Sequence, residues 1–563
     1  MKLWHSSSTR RCCVTGFDQL PVQPAYLKRV NGIADLQANC RQAMTMTVVT
    51  ALLAVVVALL VSRCEAGFAG STASTYTFNA NKMGLDDQNY VLTQALDSAT
   101  IAARNEQLQS DMAPSVHRYN MFWSSFESSG TPSSSSPVTC NSGYYMVPPD
   151  SSGLKVNGGK YNNYRCISYG QEVLTQELLQ ADEGIGWESA AIIWCAPVYA
   201  RDPACAGQPE VATESAPDNY TDTYANFTIT QTAISATIAA QLPTLVQPPQ
   251  VLENSTQGNV AAESALDSSG CSCVPADAFM PDFQDFIAYL GDRVNNGAAR
   301  FGHYIIWNEC ANSYWTDVSP RIDVTQVVTA EGQQIWVNTY ANMIKLAQAV
   351  VQQPALVYVS TDRWWGVPPV LTSWNIGRAH MGTQNLLVGL WEVLGIETEW
   401  SLVMHVYGDI GSNEMDMQNG IVNAYGWPTV YIVAAWQNQQ LASAIANTPG
   451  TSYTMDNAPQ RVIAATEQGW QASQNDDLTR AEWLCQAFNY ANQVDTLAWM
   501  SWFDFQLGST ADDWSLVSSG IDPDLDNGQS SVTYQAMIAS NPAKWGVDSS
   551  NYCCANVNVG CPA

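Results

Sequence analysis

The sequence predicts a parallel α/β fold: a (β/α)8 TIM barrel with two surface insertions and a cysteine-pinned C-terminal tail. Three observations predict it. First, eight short runs read as strands, at 75–79, 116–123, 190–195, 304–307, 356–360, 402–406, 462–466 and 497–503. Second, longer helical segments lie between them, at 88–110, 172–181, 283–295, 334–351, 383–394 and 479–493. In the last of these, apolar Ala481, Leu484, Cys485, Phe488 and Ala491 recur close to helical spacing. Third, side chains with chemistry collect just where the runs end, and a barrel of this kind places its active groups at the C-terminal ends of its strands.

The chain divides on the same reading. Residues 1–66 are a basic N-terminal extension plus signal peptide, because 48–61 is apolar except for Thr50 and is followed by small residues at Cys64 and Ala66. The run is short for a membrane span, so the expected product is secreted with no span in its mature part; an uncleaved signal anchor is the alternative. Residues 67–545 form the barrel and 546–563 the cysteine-rich tail. The insertion at 124–163 is rich in Ser, Gly and Pro. The second, at 207–270, carries glycosylation sequons at Asn219, Asn226 and Asn254.

Composition narrows the class. Charged residues make up 13% of the chain and hydrophobic ones 46%, which favours a large core over disorder. The net charge of −28 opposes encounter with nucleic acid or anionic polysaccharide, so a neutral glycan is the better-matched partner. Of 15 cysteines, 11 follow residue 67, an odd number that leaves at least one thiol outside intrachain disulfides. Cys271-Ser272-Cys273 and Cys553-Cys554 lack zinc-ligand spacing. No phosphate-binding loop or Gly-x-Ser-x-Gly elbow is present, so neither a metal nor a cofactor is expected.

The strand ends carry the chemistry. Asn308-Glu309 closes the apolar run His303–Trp307, and Glu467 closes Arg461–Thr466 before Gln468-Gly469-Trp470. Two carboxylates so placed are what cleavage of a glycosidic bond needs, one as acid/base and one as nucleophile. Arg118 lies in the second run, His405 and Tyr407 close the sixth, and Trp502 lies on the eighth. Asp362, Arg363, Trp364 and Trp365 follow the fifth. The expected roles are acid/base for Glu309 and nucleophile for Glu467. Asn308, Arg118, His405, Tyr407, Trp470 and Trp502 are expected to bind substrate, Trp502 as a floor under the sugar ring and Trp470 as a side wall. The competing reading makes Asn308 the N-cap of a helix and Glu309 a residue of its first turn.

Trp-Asn-Glu after the fourth strand, His-x-Tyr after the sixth and Thr-Glu-Gln-Gly-Trp after the seventh resemble the retaining clan-A glycoside hydrolases. Families 5 and 39 are the nearest well-known relatives, together with an uncharacterised family of secreted, clan-A-like barrels. That family has Pro where this chain has Val406. The likeness runs from Val116 to Phe503, with the 207–270 insertion outside it. It implies a secreted hydrolase acting by double displacement, with Glu309 as acid/base and Glu467 as nucleophile. Two alternatives stay open: a non-catalytic carbohydrate-binding or cell-wall protein on the same scaffold, and a transglycosylase using the same residues.

Overall fold

The structure, a computed structural model, describes residues 82–86, 98–127, 163–201 and 271–295, most of 132–149, 299–407 and 416–503, and Thr533, Ala536 and Met537. All of them fall in the larger of two compact units, Thr75–Ala563. The signal segment, the sequon-bearing insertion and the cysteine-rich tail lie outside the described residues. No helix among the described residues is long and apolar enough to cross a membrane.

Eight parallel strands close into a barrel: β1 (Met83–Asp86), β2 (Val116–Phe122), β3 (Glu188–Trp194), β4 (Phe301–Ile306), β5 (Leu356–Thr361), β6 (Ser401–His405), β7 (Ile463–Gln468) and β8 (Leu497–Trp502). Each pairs with its sequence neighbour, and β8 returns to β1 with Met83 opposite Met500. Among the described residues seven helices of ten residues or more fill the intervals: α1 (Ser98–Asp111), α2 (Tyr169–Ile185), α3 (Met280–Tyr289), α4 (Ala330–Gln348), α5 (Thr383–Leu394), α6 (Trp427–Asn447) and α7 (Asp477–Gln493). This is the (β/α)8 architecture expected. Strands 2 to 8 are buried almost throughout, which is why most of them read in sequence as largely apolar runs, β2 with its His117, Arg118 and Asn120 being the exception.

Two elements differ from expectation. The first strand was expected at 75–79, which lies outside the described residues; the barrel takes Met83–Asp86 instead. That stretch is four residues long, contains Gly84 and ends on a charge, so it carries little strand signal. Helix α6 was not expected at all. Its first half, Thr429–Val433, is largely β-branched or aromatic, which reads as strand, but Pro428 in its first turn and burial of Val430, Val433 and Trp436 on one side suit a packed helix.

Alternation along β2 sorts its side chains. His117 and Tyr119 face outward onto Asp182 of α2, at 3.0 and 2.8 Å, while Arg118 points into the barrel. Lower in the interior, His303 of β4, Tyr358 of β5 and Trp499 of β8 pack as a plug. The His303 and Trp499 ring centroids are 4.5 Å apart, and Tyr358 Oη lies 3.0 Å from His303 Nδ1. The barrel is therefore filled beneath its C-terminal rim, and only the rim is left for a site. A short antiparallel pair joins Tyr144–Val147, inside the 124–163 stretch expected as the first insertion, to Arg165–Ser168 just beyond it, and the Cys140–Cys166 disulfide links the segment before the first of these strands to the second. A second disulfide joins Cys195, after β3, to Cys271, across the whole 207–270 insertion. Cys310 is a buried free thiol, its proton held up to about 12 by burial.

Gly84 is fixed by the plug. A Cβ there would lie 2.6 Å from Trp499 Cδ1 and 2.7 Å from Ser501 Oγ. Gly84→Ala should therefore destabilise the protein by about 1–3 kcal/mol through overpacking, read as a lowered midpoint in thermal or urea denaturation. Trp499→Phe in the same chain should recover part of that loss.

Candidate active site

The site grows from how β4 ends. Trp307 and Glu309 both take left-handed backbone angles, with φ of 63° and 39°, on either side of Asn308. Non-glycine residues pay steric strain there, and the surroundings hold them in it. The Trp307 amide donates to Ile193 O at 2.9 Å, the Glu309 amide to Ser360 Oγ at 3.1 Å and the Cys310 amide to Ser360 O at 3.0 Å. Thr316 Oγ1 donates to Asn308 O at 2.7 Å. This turn heads no helix, so the N-cap reading of Asn308 does not apply. Its effect is to swing Glu309 over the barrel mouth.

On the far wall, β7 departs from regular pairing with β6 at His405 and with β8 before Gln468. Such irregularities re-aim a side chain at a barrel rim. Glu467 points inward, opposite His405. A carboxylate oxygen of Glu309, one of Glu467 and a ring nitrogen of His405 all lie within 4.8 Å of one another. His405 Nδ1 is 2.8 Å from Glu309 Oε1 and 3.1 Å from Glu467 Oε2. An ionised carboxylate offers only acceptors, so an Nδ1 proton directed between the two satisfies both.

The two carboxyls sit in opposite surroundings. Burial pushes the Glu309 proton affinity up, the negative charges of Asp362 and Glu467 push the same way, and His405 opposes them only in part. For Glu467, burial alone would also raise the affinity. The charges of His405 and Arg118, with hydrogen bonds from Tyr407 and Arg118, outweigh it and hold the carboxyl below its ordinary range. Arg118 Nη2 donates to Glu467 Oε1 at 2.7 Å, and the Tyr407 hydroxyl donates to Oε2 at 2.8 Å. Burial and the neighbouring Glu467 charge raise Tyr407 well above the usual phenol value, so it keeps its proton as donor. Arg118, though buried, is held charged by Asp86 and Glu467 together.

The structure thus brings Glu309, Glu467, Arg118, His405, Tyr407 and Asn308 to one rim. Asn308 is buried, and its Oδ1 has no hydrogen-bond partner among the described residues. The tryptophans are placed differently from expectation. Trp502 is 0% and Trp470 3% exposed; their rings pack edge to face at 5.4 Å, with the Arg480 guanidinium 5.2 Å from the centre of the Trp502 ring. Neither presents an open face of the kind a sugar platform needs, so here they back the β7–β8 wall.

Sequence reasoning missed Asp86, whose carboxylate takes Nη1 of Arg118. The signal was Asp86 itself, at the end of an unrecognised strand. It also missed Phe122 and Trp194, paired across β2 and β3 with ring centroids 5.2 Å apart. Alternation puts Phe122 on the Arg118 face, two steps nearer the rim. The Glu309, His405 and Glu467 trio is also the one cluster among the described residues with metal-ligand spacing. Arg118 and Tyr407 already occupy both oxygens of Glu467, and the guanidinium repels a cation, so the donor set fits proton chemistry better than a metal.

No family model and no curated protein sequence matches the chain. Solved structures similar to it include a family 39 glycoside hydrolase from the gut symbiont Bacteroides cellulosilyticus WH2. That match has 13% identity and a TM-score of 0.38, and covers 82% of this chain and 64% of the other, under two thirds of its length. An endo-1,4-beta-mannanase from Rhizomucor miehei matches at 12% identity and a TM-score of 0.38, over 82% of this chain and 95% of the other. An endo-beta-1,4-mannanase from Thermotoga petrophila matches at 12% and 0.37, over 85% and 80%. Likeness at this level carries no chemistry, and the site geometry above stands without it.

Opposite environments predict opposite stability effects. A carboxyl with raised affinity costs folding stability as pH climbs from about 4.3, the ordinary glutamate value, through its folded value. Glu309→Gln should therefore stabilise the fold by about 0.5–2 kcal/mol at pH 7, with the gain vanishing below about pH 4. A depressed carboxyl contributes stability that is present at neutral pH and lost as pH falls through its folded value. Glu467→Gln should cost about 3–5 kcal/mol at pH 7, because Arg118 loses a buried partner. Denaturation at pH 4 and pH 7 checks both signs.

Proposed function

We propose that the protein is a retaining glycoside hydrolase that cleaves O-glycosidic bonds of a neutral oligo- or polysaccharide by double displacement. One observation carries the reading: an oxygen of Glu309 and an oxygen of Glu467 lie within 4.8 Å of each other, and the surroundings of the two carboxyls drive their proton affinities apart. Retaining enzymes hold this pair at about 5–5.5 Å, and inverting ones at about 6.5–9.5 Å to admit a water. A non-catalytic scaffold has no need of one proton-holding and one proton-free carboxyl side by side.

In the first step the ionised Glu467 oxygen attacks the anomeric carbon as the glycosidic bond breaks and the Glu309 proton passes to the leaving oxygen. A glycosyl ester on Glu467 results. In the second step Glu309, now ionised, takes a proton from water; the oxygen bonds to the anomeric carbon and the Glu467 carboxylate departs. Arg118 and Tyr407 keep Glu467 ionised before attack and receive its charge again on release. Asn308 Oδ1, buried without a hydrogen-bond partner among the described residues, is suited to accept from a sugar hydroxyl. The strongly acidic chain favours neutral over anionic glycans. The described disulfides and the apolar run at 48–61 support secretion, with the 207–270 sequons as glycan acceptors.

The test is turnover of aryl glycosides and neutral polysaccharides, with proton NMR of the first-formed anomer. Retention is expected; a first product of inverted configuration overturns double displacement. Glu309→Gln should lower kcat/KM by about 10²–10⁴-fold on sugar leaving groups and much less on an acidic aryl leaving group. Glu467→Gly should be inactive, and added azide should restore turnover as an inverted glycosyl azide. Both variants turning over like the parent protein removes the assignment.

A further inference from the structure

Asp362, two residues beyond Ser360 on the same face of the β5 strand end, is buried and takes no direct part in the chemistry above. Its carboxylate accepts from His380 Nε2, and its Oδ1 accepts from Thr383 Oγ1 at 2.8 Å, at the start of α5. The state of His380 follows from its other nitrogen. Nδ1 accepts the Gly382 amide at 2.9 Å, so it carries no proton, and the ring is the neutral tautomer with its hydrogen on Nε2. Gly382 makes this possible with a φ of 81°, which a side chain would resist. Both of these partners of Asp362 are neutral, so they fix its position without adding a positive charge.

The segment that carries His380 is sewn to the Glu309 turn. The Met381 amide donates to Ala311 O at 2.7 Å, and Asn312 bridges to His380 in antiparallel fashion. On its other side the turn hangs from Ser360 through the Glu309 and Cys310 amides. Two separate attachments to the end of β5 thus hold a turn whose own backbone is strained at Trp307 and Glu309. One runs directly through Ser360, and the other through Asp362, His380 and residues 311–312.

We propose that Asp362 is a positioning residue for the acid/base: through His380 it pins the Glu309 turn to β5, and it places a fixed negative charge beside Glu309. The inference rests on the reading of Glu309 as acid/base. The groups facing Glu309 are His405 and Tyr407 from the β6 end, Glu467 from β7, Asp362 from β5 and the Cys310 thiol of its own turn. After burial, the charges of Asp362 and Glu467 raise the Glu309 proton affinity, and His405 lowers it. Asp362 is the one of these anions that forms no bond to substrate, so its charge is present through both steps.

The deciding experiment is a titration of Glu309 by carboxyl carbon NMR, with its resonance identified by its loss in Glu309→Gln, in parent protein and in Asp362→Asn. Asparagine keeps the size and an acceptor for His380 Nε2–H but removes the charge. The Glu309 midpoint should fall by about 0.5–1 pH unit. The alkaline limb of kcat/KM, where the acid must still hold its proton, should move down with it. His380→Gln keeps the charge and loosens the turn, so kcat should fall about 10–100-fold with a smaller displacement of the midpoint. An unmoved midpoint in folded Asp362→Asn overturns the charge, and parental kcat in His380→Gln overturns the pinning. If Asp362→Asn does not fold, His380→Gln decides. The titration needs no substrate: a chain that cleaves no glycan sinks the glycosidase reading, whereas an active enzyme with an unmoved midpoint sinks only this inference.

Discussion

The site depends on one buried cation. Arg118 is 1% exposed, so bulk solvent does little to stabilise its charge, and carboxylates hold it on both sides, Asp86 and Glu467. A guanidinium forks, and two of its nitrogens meet two different strands: β1 through Asp86 and β7 through Glu467. It therefore braces the barrel across its mouth while keeping Glu467 ionised. Removing either anion strands a charge in low dielectric, a costly arrangement. Stability and chemistry are coupled at this residue. Glu467 is at once the proposed nucleophile and half of the counter-charge that lets the arginine be buried.

The second carboxyl follows from what Arg118 does not reach. Glu309 arrives on a strained turn from the opposite wall and meets His405 and the field of two anions. With its counter-charge spent on Glu467, the site leaves Glu309 to hold a proton. His405, Arg118 and Tyr407 on the Glu467 side, against burial and two anions on the Glu309 side, drive the proton affinities of two chemically identical side chains apart. His405, within hydrogen-bonding reach of both, links the two states, so a proton leaving Glu309 changes the field at Glu467 through one ring.

Much of this was legible in the sequence, for a physical reason. Parallel barrel strands are covered on both faces, so β3 to β8 appear as largely apolar runs, and a polar residue that ends such a run marks the rim. That rule singled out Glu309, His405 and Glu467, whereas Arg118 lies inside the mixed stretch His117-Arg118-Tyr119-Asn120. It failed at β1, where Gly84 must be small to clear Trp499 and the strand is too short to form a run; Asp86 was lost with it. It failed at α6, where β-branched residues pack well in a buried helix but read as strand. It misjudged Trp502 and Trp470, because a tryptophan at a strand end looks the same in sequence whether its face is open or packed edge to face on another ring.

What sequence could not show at all is connection through backbone. Asp362 stood out as a strand-end charge, but nothing in the spacing joins it to His380. The join comes from a left-handed glycine that turns an amide onto Nδ1 and so points the remaining proton of the ring at Asp362. The same holds for Glu309, whose orientation comes from two positive φ angles that no residue type announces. Pattern locates the charged groups along the rim, whereas a few amide directions set which neighbours each one meets, and burial and those neighbours set its proton affinity. A barrel with the same strand-end residues and a relaxed turn after β4 would carry both glutamates without holding Glu309 in the surroundings that raise its proton affinity while that of Glu467 is lowered.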